Sequence, residues 1–172
     1  LAPLIALIVA TASLWYAVYL LGRRPEAQPQ QFAFGGQPNA RDYGRALADG
    51  ALMICLAMLG LLVRAHETSA ELPQFALGCF SFYALVRSLD RPVHGALAFG
   101  LSVAGLALVH SVSVALVPLA IAVVLYARSA LWRALGWRWW LLALPWAVAP
   151  VAAWWWPTPA TTPSATLASM AW

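Results

Sequence analysis

Six apolar stretches, separated by short segments that carry the arginines, fill most of this chain. They fall at residues 4–21, 46–63, 72–88, 95–109, 112–128 and 139–156. Each approaches the about 20 apolar residues that a helix needs to cross a bilayer. None alternates polar and apolar residues like a half-buried strand, and an unpaired strand would leave its backbone polar groups unsatisfied in lipid. Composition agrees: 63% of the residues are hydrophobic and 9% charged, whereas a soluble domain is about 45–50% apolar and about 25% charged. The expectation is an all-α polytopic transmembrane helix bundle of about six spans over residues 1–156. An external linker rich in proline, threonine and serine follows at 157–172. No basic segment precedes the first apolar run and no small-residue cleavage pattern follows it, so a signal peptide does not fit. Leu1 stands in place of an initiating methionine, and the expectation is a segment from within a longer protein.

The run from Gly95 to Ala127 has a polar centre, His110-Ser111-Val112-Ser113. As one helix it would be about 50 Å long at about 1.5 Å per residue, against a hydrocarbon core of about 30 Å. Two spans with a tight turn near His110 fit better than one long tilted helix. Alternating sides then puts Arg23, Arg24, Arg41, Arg45, Arg87, Arg91, Arg128, Arg133 and Arg138 on one face, with only Arg64 opposite. That is a positive-inside pattern, and the single-helix alternative would break it. The arginine face is expected in the cytoplasm, both chain ends outside, and the location the plasma (inner) membrane. The net charge is +4, and its arginines are scattered singly and in pairs. That suits lipid headgroups and orientation and argues against nucleic acid as a partner. Trp137, Trp139 and Trp140 are expected at one membrane interface, and Trp154, Trp155 and Trp156 at the other. Cys55 and Cys79 lie inside apolar runs without metal-ligand spacing and read as free packing thiols. No metal site and no cofactor are expected from these residues, and a divalent ion in the longer protein stays open.

With this orientation the outer face holds few polar groups: Arg64, His66, Glu67, Thr68, Ser69 and Glu71 in one loop, and His110, Ser111 and Ser113 in another. Ionisable residues at membrane depth are costly and often functional. Each has a plainer explanation. Thr68-Ser69-Ala70-Glu71 matches a capping box that would only start a helix. Pro73 conflicts with that register, and a helix starting nearer Glu71, with Pro73 in its first turn, is easier. Glu71 then sits at a positive helix end. His110 could be a packed turn histidine, Arg64 and His66 could face headgroups, and Glu67 could be a solvated loop residue. His94 reads as an interface residue and Asp49 as a packed or snorkelling one. Asp42 and Asp90 read as solvated partners of neighbouring arginines. The segment Arg23 to Tyr43, with Pro25, Pro29 and Pro38, reads as flexible cytoplasmic chain.

Three places in this order resemble one family. Arg64-Ala65-His66-Glu67-Thr68-Ser69-Ala70-Glu71 opens an outer helix that reaches Tyr83; Leu108-Val109-His110-Ser111 precedes Pro118; and Leu144-Pro145-Trp146 lies in the last span. Together they resemble the polytopic membrane glycosyltransferases with a polyprenyl-phosphate donor, which include the protein mannosyltransferases and the aminoarabinose transferases of lipid A. The resemblance covers nearly all of residues 1–156, as the family's second to seventh helices of a C-type fold. It departs from the family at His110, where lysine is common, in the missing Gly and Pro after it, and in the longer loop at Arg23 to Tyr43. What it implies is transfer of a sugar from a polyprenyl phosphate carrier to an external acceptor: a lipid, a glycan or a protein. It implies Glu71 as the family's second outer acid, in a catalytic role, with Arg64, His66, Glu67 and His110 near the donor phosphate and substrate. It also implies a first helix and first outer loop upstream, carrying another acid. The partners expected are membrane lipids, the lipid-linked sugar and the acceptor. Composition and topology equally suit a non-enzymatic membrane protein, such as a lipid or small-molecule carrier or an assembly subunit.

Overall fold

A computed structural model describes residues 2–29, 38–58, 70–109 and 111–155. Among these residues the chain is all helical, with no strand. Seven helices follow one another: α1 (Ala2–Gly22), α2 (Ala40–Ala57), α3 (Glu71–Ser88), α4 (Pro92–Val109), α5 (Val112–Arg128), the short α6 (Ala130–Arg133) and α7 (Trp137–Trp155). A 3-10 turn at Pro25–Ala27 follows α1.

Local chemistry sets the ends. The Asn39 side chain accepts the Arg41 N–H and starts α2, which is what an N-cap asparagine does. As a result α2 begins at Ala40, ahead of the apolar stretch expected from 46, and its first two turns are polar. Ser111 is extended, with φ −166° and ψ 157°, so α4 and α5 are separate helices and not one long rod. Gly136 has φ 69°, a left-handed conformation that costs glycine little, and it turns the chain from α6 into α7.

The helices alternate in direction. Ala6 and Ala10 of α1 meet Leu72 and Ala76 of α3, while Ala17 and Leu20 meet Val86, so α1 and α3 run parallel. Gly22 lies against Gly44, and Trp15 bonds Asp49, so α2 runs back along α1. Ser88 abuts Gly95 and Leu77 abuts Gly105, so α4 runs back along α3. α7 runs parallel to α4, with Trp139 against Phe99 and Ala143 and Trp146 against Gly100. α5 returns along α4, and its Tyr126 meets Trp140 of α7. One end of the bundle therefore gathers Arg23, Arg24, Arg41, Arg45, Arg87, Arg91, Arg128 and Arg138, with Arg133 on the α6 linker between α5 and α7. The opposite end gathers Glu71, Val109, Ser111 and Trp154.

Many small side chains lie inside, beside a few large ones such as Leu72 and Phe99, and many large apolar ones lie outside. Ala10, Ala17, Ala48, Ala76, Ala84, Ala96, Ala104 and Ala143 are buried, whereas Ile8, Met53, Ile54, Val117 and Val148 stand 56% to 72% exposed. Close approach of small residues, with large apolar groups turned outward, is how helices pack in lipid. Two helices, Ala2–Gly22 and Pro92–Val109, are long and apolar enough to cross a membrane. α5 is apolar but shorter, at 17 residues, and the remaining long helices carry charge: Arg41, Asp42, Arg45 and Asp49 in α2, Glu71 and Arg87 in α3, and Arg138 in α7.

Two expectations are corrected. Trp139 is not an interface residue: it is 4% exposed, packs on Phe99, and its Nε1 donates to the Ser88 Oγ at 2.9 Å. An indole N–H can be buried where an acceptor meets it. Asp90 pairs with arginines far from it in sequence. It accepts from Arg23 at 3.2 Å and from Arg24 at 2.7 Å, which ties the α3–α4 turn to the end of α1. Cys55 and Cys79 are free thiols, as expected.

Candidate functional site

Glu71 is the first residue of α3. The cap residue Ala70 makes no side-chain cap bond, and Pro73 is the third helical residue, where a missing N–H costs nothing because first-turn donors have no intrahelical partner. The carboxylate thus stands at the positive end of a helix and is exposed. Gln74 follows three residues later and so shares its helix face.

That face forms one wall of a groove of about 660 Å³. Glu71, Gln74, Phe75 and Gly78 line it from α3, Leu106 from α4, and Val114, Val117 and Pro118 from α5. Gly78 has open space where a Cβ would be, which leaves that wall unobstructed. Pro118 is buried within α5, and having no N–H it returns no hydrogen bond to the Val114 carbonyl. The groove is thus apolar along its length, with a carboxylate and a carboxamide on one wall. Nearby, the Ser111 and Ser113 hydroxyls share a hydrogen bond of 2.7 Å before and within the first turn of α5.

Of the residues the sequence nominates, Glu71 lines this groove. Arg64, His66, Glu67 and His110 lie outside the described residues. Val109 and Ser111, which flank His110, belong to the same end of the bundle as Glu71. Sequence reasoning misses Gln74, whose signal is its i, i+3 spacing from Glu71. Among the described residues no three His, Cys, Asp or Glu side chains stand together as a metal-ligand group. Leu144-Pro145-Trp146 is exposed on α7 and lines a different part of the bundle, with the Trp146 Cβ close to Gly100.

A second groove, about 320 Å³, lies between α4, α5 and α7 and is lined by Val103, Ala107, Leu116, Leu119, Val148 and Val151 among others, all apolar. It offers volume but no polar side chain for chemistry. Compared with known proteins, the chain matches no protein-family model, no curated protein and no solved structure.

Proposed function

We propose that the chain is part of an integral membrane glycosyltransferase that moves a sugar from a polyprenyl-phosphate carrier to an acceptor outside the cell. The observation that carries this reading is the groove: an apolar channel open to the bundle surface with the Glu71 carboxylate on its wall. An isoprenoid chain needs apolar walls along its length, and its phosphate–sugar end needs polar groups at one end. Supporting it are the apolar exterior, the two helices of spanning length and the resemblance of the three motifs.

In this reading the bundle crosses the plasma (inner) membrane six times, with its arginine-bearing end in the cytoplasm and Glu71 outside. The acceptor hydroxyl attacks the anomeric carbon, the carbon–oxygen bond to phosphate breaks, and polyprenyl phosphate leaves with the electron pair. The hydroxyl proton passes to a carboxylate. Glu71 serves this acid–base work or orients the acceptor for it, together with an acid upstream of this segment. The resemblance would put Arg64, His66 and His110 near the donor phosphate, where positive charge stabilises the leaving group, and Glu67 near the substrate.

The test is Glu71→Gln in the full-length protein, assayed with labelled polyprenyl-phosphate sugar. Glutamine keeps size and most hydrogen bonding and loses the charge. Turnover should fall about 10²–10⁴-fold, the usual worth of one acid–base contact, with insertion into the membrane unchanged. Unchanged turnover returns Glu71 to the role of a helix-starting residue. A full-length protein that moves lipid or small molecules and transfers no sugar would instead be a carrier.

A further inference from the structure

At the end of the bundle opposite Glu71, two guanidinium groups meet one carboxylate, and a third arginine stands on the neighbouring helix. The Arg24 Nη2 donates to Asp90 Oδ1 at 2.7 Å, and the Arg23 Nη2 to Asp90 Oδ2 at 3.2 Å. The Arg23 guanidinium also lies 5.6 Å from the Tyr19 ring centre. Gly44 of α2 packs against the Tyr19 carbonyl and the Arg23 backbone, and Arg41, three residues before it, lies on the same face of α2. Arg23, Arg24 and Arg41 thus carry positive charge against the single negative charge of Asp90. Among the described residues no other acid offsets that surplus locally. Asp42 pairs with Arg45 at 3.9 Å, Glu26 is exposed in the turn that follows α1, and Arg87 and Arg91 on either side of Asp90 add positive charge.

The Gln28 Nε2 donates to the Gly22 carbonyl that ends α1 at 2.7 Å and to the Arg24 carbonyl beyond it at 3.3 Å, and one guanidinium donor is left over. The Arg24 Nε is buried and, among the described residues, has no hydrogen-bond partner, and a buried N–H without an acceptor is costly. Tightly placed guanidinium forks are the usual means of holding phosphate, because they match its oxygens two at a time.

We propose that Arg23, Arg24 and Arg41 form a phosphate-binding site, taking a phosphate mono- or diester as the headgroup of an anionic lipid or as a free anion. Asp90 holds the site together when it is unliganded and competes with the ligand for Arg23 and Arg24. The site shares no residue with the Glu71 groove and lies at the other end of the bundle, so it stands whether or not the chain transfers sugars.

The experiment uses the chain purified in a neutral detergent. One arm adds phosphatidate to the micelles and counts bound lipid by native mass spectrometry. The other titrates inorganic phosphate and follows its ³¹P resonance. We expect saturable binding of one equivalent. Binding of phosphatidate alone identifies a lipid headgroup as the ligand, and binding of both identifies the phosphate group itself. Arg23→Gln with Arg24→Gln should weaken binding at least about tenfold, a difference of about 1.4 kcal/mol. Arg128→Gln with Arg133→Gln, at the same end but outside the cluster, should leave it within about twofold on the same scale. Asp90→Asn removes the competing carboxylate and should tighten binding, a gain that misfolding cannot produce. Binding by neither probe, equal loss in the two arginine pairs, or weaker binding in Asp90→Asn overturns the proposal.

Discussion

Replacing Gly95 with alanine should destabilise the bundle, although alanine is the better helix former. A Cβ at position 95 would fall on the Oγ, Cα and N of Ser88. The hydroxyl could rotate away, but the backbone N and Cα of a helix cannot move alone, so α3 and α4 must separate. Overpacking of this kind costs about 1–3 kcal/mol, and contact with backbone places it near the upper end. The intrinsic preference of helices for alanine returns up to about 1 kcal/mol, leaving a net loss of about 2 kcal/mol. At about 2–4 °C per kcal/mol for a chain of this size, the midpoint should fall by about 4–8 °C. Gly50 is the control. It lies mid-helix in α2, and a Cβ added there would meet nothing within 4 Å, so Gly50→Ala should gain up to about 1 kcal/mol. Thermal unfolding in neutral detergent, followed by circular dichroism, measures both. A Gly95→Ala midpoint at or above wild type would refute the close approach of α3 to α4. So would equal shifts in the two variants.

Other outcomes follow from the same packing. Ser88 is fully buried and is the acceptor for the Trp139 indole, so Ser88→Ala strands that N–H and should cost about 1–3 kcal/mol. Trp139→Phe in the Ser88→Ala background should then cost less than in wild type, as a double-mutant cycle on melting midpoints would reveal. The Trp15 Nε1 donates to Asp49 Oδ1 at 2.8 Å. Asp49→Asn keeps an acceptor and should be nearly neutral, whereas Asp49→Leu should lower stability by about 1 kcal/mol, read by the same melts.

Much of this architecture can be read from residue order because apolar runs and their breaks are local signals. A break is expected near His110, and α4 ends at Val109 and α5 starts at Val112; Pro73 marks the α3 start, because proline suits a first turn and not a helix interior. Hydropathy misplaces the start of α2 because it ignores polar helical turns; Asn39, the capping residue, is the available clue. Trp139 reads as an interface residue because an indole looks the same whether its N–H meets water or a buried serine. The tie from Asp90 to Arg23 and Arg24 joins residues 67 and 66 positions apart, and no local pattern announces such a contact. Position at a helix start singles out Glu71, but the groove beside it arises where α3, α4 and α5 meet. Only packing reveals that.

At the centre of the proposed function is a bundle that crosses a membrane with its arginine-bearing end inside and its Glu71 end outside. Single cysteines placed at Arg91 and at Ser113, in a Cys55→Ala, Cys79→Ala background, test this directly with a membrane-impermeant maleimide on intact cells. Both positions are exposed in the structure and lie at opposite ends of the bundle. Ser113→Cys should label in intact cells, and Arg91→Cys only after the membrane is opened. Labelling of Arg91→Cys in intact cells, or equal labelling of the two, would contradict this orientation.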